Sequence, residues 1–345
     1  MRAHQSTLSW DKQPLIPDRE SDQLLREVYA CLDGVLISSH LDEAYHARLR
    51  AVLEAAQASE RASVPITLLP LLSCQAVCNA PDPAIPVAAA WRALLIAAKL
   101  LDDVEDGDIY YMSAAPTAPP EVINLSTGFF AIAGLALAKL PSSVALDLQA
   151  DFNQTILIAA SGQHADLSKR ADLGLEQYFE IMAAKSGVCF ALAGRAGARC
   201  VTTDATAINR YDQFGYNVGL VIQLINDLMG LRLPGAQGDL AAGRHTLPVR
   251  YAFAVASSGE RARLSDALSK AGTDGEAERQ ARHLITALGA EVYLMAEMAR
   301  FRRRALAAFE DIDPAAPSIQ PLLQWLRMVQ ASITSIHSKA RTGSI

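Results

Sequence analysis

The sequence predicts an all-α fold, and three observations carry that prediction. Apolar residues recur at helical spacing in segments of helix length, Gly and Pro fall between those segments, and almost no period-two alternation marks a half-buried strand. Composition agrees: 51% of residues are hydrophobic, 6% aromatic and 20% charged, with Ala and Leu abundant.

The elements follow in order. Residues 1–17 read as a poorly ordered lead-in, and Asp18 as the cap of a helix through Leu24, Leu25, Val28 and Leu32. More helix follows across His46 to Ala56. Pro65, Pro70, Pro81 and Pro83 punctuate a shorter helical region, and Ile85 to Val104 forms a long apolar helix. A Pro/Ala/Ser loop covers Met112 to Pro120. Helices are expected at 121–139, 143–164, 174–201 and 205–231, then a Gly/Pro-rich loop from Leu233 to Gly243, which is either a lid or a long connection. Further helices fall at 246–257, 260–271, 275–309 and 317–338. The length of 345 residues would allow two domains, but no internal repeat or long Pro/Gly linker separates two cores, so 18–340 reads as a single domain.

Charge and cysteine usage exclude several classes. A net charge of −6 argues against a nucleic-acid surface and against anionic membranes. The five cysteines, Cys31, Cys74, Cys78, Cys189 and Cys200, are odd in number and show no C-x-x-C spacing, as expected of reduced thiols in a cytoplasmic protein. No run reaches about 20 uninterrupted apolar residues, so no membrane span is expected. The polar N-terminus shows no signal peptide.

The most informative segment is Asp102-Asp103-Val104-Glu105-Asp106, which closes the apolar helix ahead of Gly107 and Asp108. Like charges at helical neighbour spacing repel, and Lys99 is the only cation nearby. Asp102 and Asp106 lie four apart, about 40° apart around a helix, and so share one face. Two carboxylates on one face suit Mg²⁺, which fills the rest of its octahedron with water and phosphate oxygens.

Four further clusters sharpen this reading. Gly162-Gln163-His164-Ala165-Asp166-Leu167 ends a helix, and Lys185-Ser186-Gly187 places a cation and a flexible spot inside an apolar helix. Gln223, Asn226 and Asp227 sit at spacings of three and four on one side of another. The fourth runs Gly238-Asp239-Leu240-Ala241-Ala242-Gly243-Arg244-His245-Thr246-Leu247-Pro248. Together they supply oxygen ligands and cations on separate helices, which fits a diphosphate clamped between Mg²⁺ and basic side chains.

In this order, DDxxD, GQxxDL, KSG, QxxND and GxxxxGRxTLP resemble the trans-isoprenyl diphosphate synthases, the polyprenyl synthetase family that includes farnesyl and geranylgeranyl diphosphate synthases. The similarity covers about residues 85–255. The resemblance implies an isoprenoid synthase-type helical bundle around a deep apolar cavity, a homodimer, and two acidic motifs facing each other across the mouth. It implies that Asp102 and Asp106 ligate Mg²⁺ with Asp103 in support, and that Lys185 and Arg244 bind the allylic diphosphate. Gln163 and Asp166 assist, and Gln223, Asn226 and Asp227 form the opposite wall, with Asn226 and Asp227 as metal ligands.

The departures shape the functional expectation. The family's elongating members hold isopentenyl diphosphate with a GGKRxRP motif before DDxxD and an Arg pair after it. Here those regions read Val64-Pro65-Ile66-Thr67-Leu68-Leu69-Pro70-Leu71-Leu72 and Ile109-Tyr110-Tyr111-Met112-Ser113-Ala114-Ala115-Pro116, without a charge. Apolar walls do not hold a diphosphate, because burying it unpaired costs several kcal/mol. In the second motif, Asn226-Asp227-Leu228-Met229-Gly230 resembles the start of the terpene synthase NDxxSxxxE triad, although Gly230 lacks a side chain and Pro234 stands where the Glu would fall. Asp227 or Asp239 is left to provide charge.

The expectation is therefore a terpene synthase, a lyase on this scaffold that ionises a C20 or C15 allylic diphosphate and lets the cation rearrange, cyclise, lose a proton or capture water. Ala97 and Ala98, one turn below the acidic motif, leave depth for such a chain, and Tyr110, Tyr111, Phe179 and Phe214 are candidates to lend π faces to a cation. The alternatives are chain elongation with basic groups from Arg92 or the Arg300, Arg302, Arg303, Arg304 run, and prenyl transfer to a non-diphosphate acceptor such as an indole or a peptide. A non-catalytic subunit is a further alternative. His164 and His245 are read as structural.

Overall fold

Every described proline sits at or near a helix end in the computed structural model, which describes residues 19–61, 64–107, 118–168, 173–235 and 238–342. Along the chain run α1 (Arg19–Ser38), α2 (Glu43–Arg61), α3 (Leu69–Cys78), α4 (Ile85–Asp106), α5 (Pro119–Leu137) and α6 (Ser142–Leu167). Then come α7 (Leu175–Met182), a π turn (Ala183–Gly187), α8 (Val188–Arg199) and α9 (Ala205–Arg232). The chain closes with α10 (Leu247–Val255), α11 (Ser258–Lys270), α12 (Gly275–Ala287), α13 (Ala290–Ala307) and α14 (Gln320–Thr342). No strand occurs among the described residues, so the all-α expectation holds. The lead-in expected at 1–17 lies outside the described residues.

Sequence and structure differ at one break. The helix expected over 275–309 is two helices, because Gly289 takes the left-handed conformation (φ 87°) between α12 and α13. Glycine adopts that conformation without a Cβ penalty and so ends the first helix.

The main core runs through the chain from Leu24 to Val329 and includes the fully buried Trp91, Phe129, Phe152 and Phe214. Each buried Leu or Phe side chain stabilises the fold by about 1.5–3 kcal/mol. A smaller cluster joins Leu231 and Leu240 to α10, α11 and α12 through Val249, Leu264 and Ile285.

α4 is the central element. Its apolar length packs against α5 and α8: Ser126 Oγ of α5 donates to Ala97 O (2.9 Å), and the Trp91 indole N–H donates to Cys189 O of α8 (3.0 Å). Pro86 at its start and left-handed Gly107 (φ 78°) after Asp106 bound it, so the acidic cluster occupies its final turn. The cap N–H of Gly107 bonds Asp103 O and Val104 O.

By length and apolarity alone, Asp82–Asp106 and Pro119–Leu137 are long enough to cross a membrane, although Arg92 and Lys99 interrupt the apolar run of the first. Within the fold these segments pack against one another, and 61% of the α4 window is buried.

Candidate active site

α4 presents its carboxylates unequally. Asp102 and Asp106 are partly exposed, as two residues four apart on one face should be, while Asp103 turns inward and is buried. Lys99, one turn earlier, pairs with Asp103 and lies 3.9 Å from Asp102. Asp103 thus engages the neighbouring cation and leaves Asp102 and Asp106 at the surface of the wall.

α6 and the π turn deliver the next groups, and close packing sets their height. A Cβ at Gly162 would lie 2.7 Å from the Cβ of Ala184, and one at Gly187 would lie 2.9 Å from the ring of Tyr216. Only glycine lets the π turn settle between α6 and α9 in this way. The π turn itself is a single wide turn inside a helix, a feature that often marks a functional position. From it Lys185 Nζ reaches Asp166 Oδ2 at 2.7 Å and Asp102 Oδ1 at 3.7 Å. Burial works to lower the Lys185 pKa, but Asp166, Asp102 and Asp106 outweigh it and hold the ammonium above its ordinary value. Gln163 Nε2 donates to Glu105 Oε2 (2.8 Å) and Asp102 Oδ1 (3.3 Å).

The third wall, on α9, separates residues that the sequence grouped together. Asn226 is exposed, whereas Asp227 is buried and fully engaged. Asp227 accepts from Gln223 Nε2 (3.0 Å), Tyr178 O–H (3.0 Å) and Leu247 N–H (3.2 Å). Gln223 Oε1 in turn accepts from Ser186 Oγ (2.7 Å), which ties α9 to the π turn. Burial pushes the Asp227 carboxyl up to about 6, against the hydrogen bonds that favour its charged form. Arg244, from the turn before α10, closes the arrangement: Nη2 lies 3.3 Å from Asp106 Oδ2 and Nη1 lies 3.7 Å from Asp239 Oδ1.

The structure therefore brings Asp102, Asp106, Gln163, Asp166, Lys185 and Arg244 together, with Gln223 and Asp227 behind the π turn. Ala97 is buried, and Ala98 is exposed one turn below Asp102. Phe179 and Phe214 pack in aromatic pairs with Phe301 (5.9 Å) and Phe309 (5.2 Å), while Tyr110 and Tyr111 lie outside the described residues. Tyr178 escaped sequence reasoning. Its only signal is a position seven residues before Lys185, two helical turns away on the same face.

These residues fit a hydrated Mg²⁺ ion. The side-chain oxygen Oε1 of Gln163 is buried with no hydrogen-bond partner, beside the carboxylates that its own Nε2 contacts. Among the described residues no three His, Cys, Asp or Glu side chains converge on one point. Mg²⁺ asks for no such cage, because one or two carboxylates plus water and phosphate oxygens suffice. Asp102 and Asp106 would hold it, with Asn226 available from the opposite wall.

Of the cations that could replace the missing basic motifs, Arg92, Arg300 and Arg304 are engaged elsewhere. Arg92 donates to Tyr29 Oη (2.9 Å) and Ala56 O (2.9 Å) and lies 3.5 Å from Glu60. Arg300 pairs with Glu297 and lies over Phe301 and Phe179, and Arg304 lies over Phe301.

An all-α bundle with carboxylates and cations gathered at the end of its central helix is an isoprenoid synthase fold. The chain belongs to the polyprenyl synthetase family, whose sequence model matches residues 66–285, well over half its length. It is 25% identical over 122 residues to a geranylgeranyl diphosphate synthase of Sulfolobus acidocaldarius, covering 33% of this chain and 37% of that protein. It is 30% identical over 175 residues to the tryptophan prenyltransferase ComQ of Bacillus subtilis subsp. natto, covering 49% and 52% respectively. The chain thus spans about half the length, or less, of these curated relatives. A decaprenyl diphosphate synthase from Rhodobacter capsulatus superposes with a TM-score of 0.75 at 18% identity, over 90% of this chain and 99% of that one. A polyprenyl synthase from Caulobacter crescentus, solved with calcium and isoprenyl diphosphate, superposes with a TM-score of 0.71 at 22% identity, over 89% and 96%.

These relatives correct the expected activity. They are prenyl diphosphate synthases and a tryptophan prenyltransferase, so the terpene synthase reading, a lyase, does not stand. Its physical basis was too narrow. Missing cations beside the donor site bear on which acceptor binds, not on whether the donor's prenyl group is transferred.

Proposed function

We propose that this protein is a prenyltransferase, which moves a prenyl group from an allylic diphosphate to an acceptor that carries no diphosphate. The observation that carries the donor half is the joint placement of Lys185 and Arg244 against Asp102, Asp166 and Asp106. Mg²⁺, when bound, supplies positive charge to the leaving diphosphate. Lys185 and Arg244 supply fixed cations from two further elements and stabilise the same developing charge. The allylic C1–O bond breaks, the acceptor's π electrons form the new bond to C1, and the acceptor then loses a proton.

The acceptor half rests on charge. Arg92 and Lys99 are the only Lys or Arg residues between positions 62 and 120, and both engage carboxylates. A neutral, apolar acceptor suits such walls, and a second diphosphate does not. Chain elongation with isopentenyl diphosphate is the second reading, favoured by relatives that are geranylgeranyl and nonaprenyl diphosphate synthases. Exposed Leu146 and Leu157 share one face of α6, and with Leu135 of α5 they supply an apolar surface for a homodimer.

The test incubates the protein with Mg²⁺ and geranyl, farnesyl or geranylgeranyl diphosphate, alone, with isopentenyl diphosphate, or with indole or a tryptophan peptide. Mass spectrometry should find a prenylated acceptor. A longer diphosphate formed only with isopentenyl diphosphate supports elongation. Release of diphosphate at equal rate with and without every acceptor would overturn prenyl transfer.

A further inference from the structure

Two thiols meet at the end of α3. Cys74 is fully buried, Cys78 is exposed, and their Sγ atoms lie 3.9 Å apart. Cys78 is the last residue of the helix, and Asn79 follows in the left-handed conformation (φ 61°), which Asn tolerates better than most residues. That turn brings the chain back over the pair, so Ala80 O accepts from both Cys74 Sγ (3.3 Å) and Cys78 Sγ (3.2 Å). Pro81 comes next, and a residue before proline is held toward extended conformations, which steadies this carbonyl. The Ala84 N–H, one residue before α4, acts on the Cys74 sulfur as a hydrogen-bond donor. The pair thus sits at the start of α4, a helix of 22 residues whose acidic end is about 30 Å away.

A disulfide fits this pair poorly. Residues four apart on a helix hold their Cβ atoms about 5–6 Å apart, and a disulfide needs about 3.5–4.5 Å. A metal ion fits without that closure. Two sulfurs 3.9 Å apart both reach an ion at the Zn–S distance of about 2.3 Å with an S–Zn–S angle of about 116°, near the tetrahedral value. The same ion can stand about 2.1 Å from Ala80 O, an ordinary Zn–O length. Among the described residues no third His, Cys, Asp or Glu side chain joins the pair, so water takes the fourth position. Exposed Cys78 gives an ion its way in.

We propose that Cys74, Cys78 and the Ala80 carbonyl form a site for a thiophilic divalent cation of the Zn²⁺ type. Binding replaces two S–H bonds by two metal–sulfur bonds, and both protons leave to solvent. Thiolate sulfur selects soft cations, so Mg²⁺, which takes oxygen ligands, does not compete. The ion clips the end of α3 to the turn that leads into α4 and stabilises that junction. This site rests on no part of the proposed function.

The test titrates Cd²⁺, and separately Zn²⁺, into the full chain after reduction with a phosphine and removal of metal. Ultraviolet charge-transfer absorption reads cadmium–thiolate bonds, and the melting temperature reads Zn²⁺. One Cd²⁺ should bind per chain, undisplaced by excess Mg²⁺. Cys74→Ser and Cys78→Ser should each weaken Cd²⁺ binding by about a hundredfold or more, since loss of even an outer partner costs up to that. Cys200→Ser should bind as wild type does, because the Cys200 thiol donates to Ala196 O of its own helix (3.3 Å). Zn²⁺ should raise the melting temperature of wild type and Cys200→Ser more than that of Cys78→Ser, whose altered side chain is exposed. Absence of the charge-transfer band in reduced wild type would overturn the proposal, as would wild-type Cd²⁺ affinity or an equal Zn²⁺ shift in folded Cys78→Ser. None of these results bears on prenyl transfer.

Discussion

Arg244 Nη2 lies 3.3 Å from Asp106 Oδ2, so the cation proposed to bind a diphosphate pairs with a carboxylate proposed to hold its metal. Lys185 does the same for Asp102 at 3.7 Å. The site's own charges balance one another across elements far apart in sequence. A magnesium diphosphate satisfies both sets at once, since the anion takes the cations and the metal takes the carboxylates.

Removal of Arg244 should therefore cost donor affinity. Loss of a hydrogen bond to a charged group is worth about 1.5–3 kcal/mol, or about tenfold or more in affinity. For Arg244→Ala, KM for the allylic diphosphate should rise by that factor while the circular dichroism spectrum stays native. An unchanged KM would remove Arg244 from the site.

Asp102 touches both Gln163 and Lys185, so Asp102→Ala deletes a proposed metal ligand and unbalances Lys185. Magnesium-dependent diphosphate release should fall by at least about a hundredfold, the usual loss when one preorganised group stabilising transition-state charge is removed. Undiminished turnover would refute the metal assignment.

The contact of Gly162 with the π turn leaves no room for a methyl group, since its Cβ would meet that of Ala184 at 2.7 Å. Overpacking of this kind costs about 1–3 kcal/mol. Gly162→Ala should lower the melting temperature and, by shifting Lys185, raise the donor KM. A variant as stable as wild type would show that α6 and the π turn can separate freely.

Glu60 is buried at the end of α2 and accepts from Tyr29 O–H (2.9 Å), Thr67 N–H (2.8 Å) and Thr67 O–H (2.8 Å), with Arg92 at 3.5 Å. Glu60→Ala leaves Arg92 without its carboxylate, and breaking a buried ion pair in this way costs about 3–5 kcal/mol. Urea denaturation checks the loss. A cost under about 1 kcal/mol would mean that Arg92 is free to serve an acceptor.

Asp227 sets a pH dependence whose sign follows from its raised pKa. Its carboxyl titrates near 6 in the fold and near the ordinary carboxylate value when unfolded, so the folded state holds the extra proton between those values. Its contribution to stability is fully present below the unfolded pKa and is lost as pH rises through about 6. The total is on the order of 3 kcal/mol at most. Denaturation of wild type and Asp227→Asn from pH 4.5 to 7 should give curves that converge at low pH and separate as pH rises, with wild type falling more. Parallel curves would show that Asp227 stays ionised throughout.

Much of this architecture was legible in the chain. The end of α4 was readable because Gly107 follows a run of acids on an apolar helix, and the ordered motifs placed Gln163, Lys185 and Arg244 at one site. The break at Gly289 was missed because the apolar period continues across it, and only backbone conformation ends the helix there. Tyr178 was missed because a tyrosine in an apolar helix carries no mark of the carboxylate it faces. The grouping of Asn226 with Asp227 failed for a similar reason, since adjacent helical residues point about 100° apart and only packing decides which one is buried.

By itself, the sequence determined the helical class, the family, the acidic and basic groups at the site, and the absence of basic motifs beside them. These depend on residue type, order and spacing, which the chain carries locally. Only the tertiary structure decided that Arg92 is held by Glu60 and that Asp227 is buried while Asn226 is exposed. Each of these is a contact between elements distant in sequence, set by how the helices pack and which charges that packing leaves to neutralise one another.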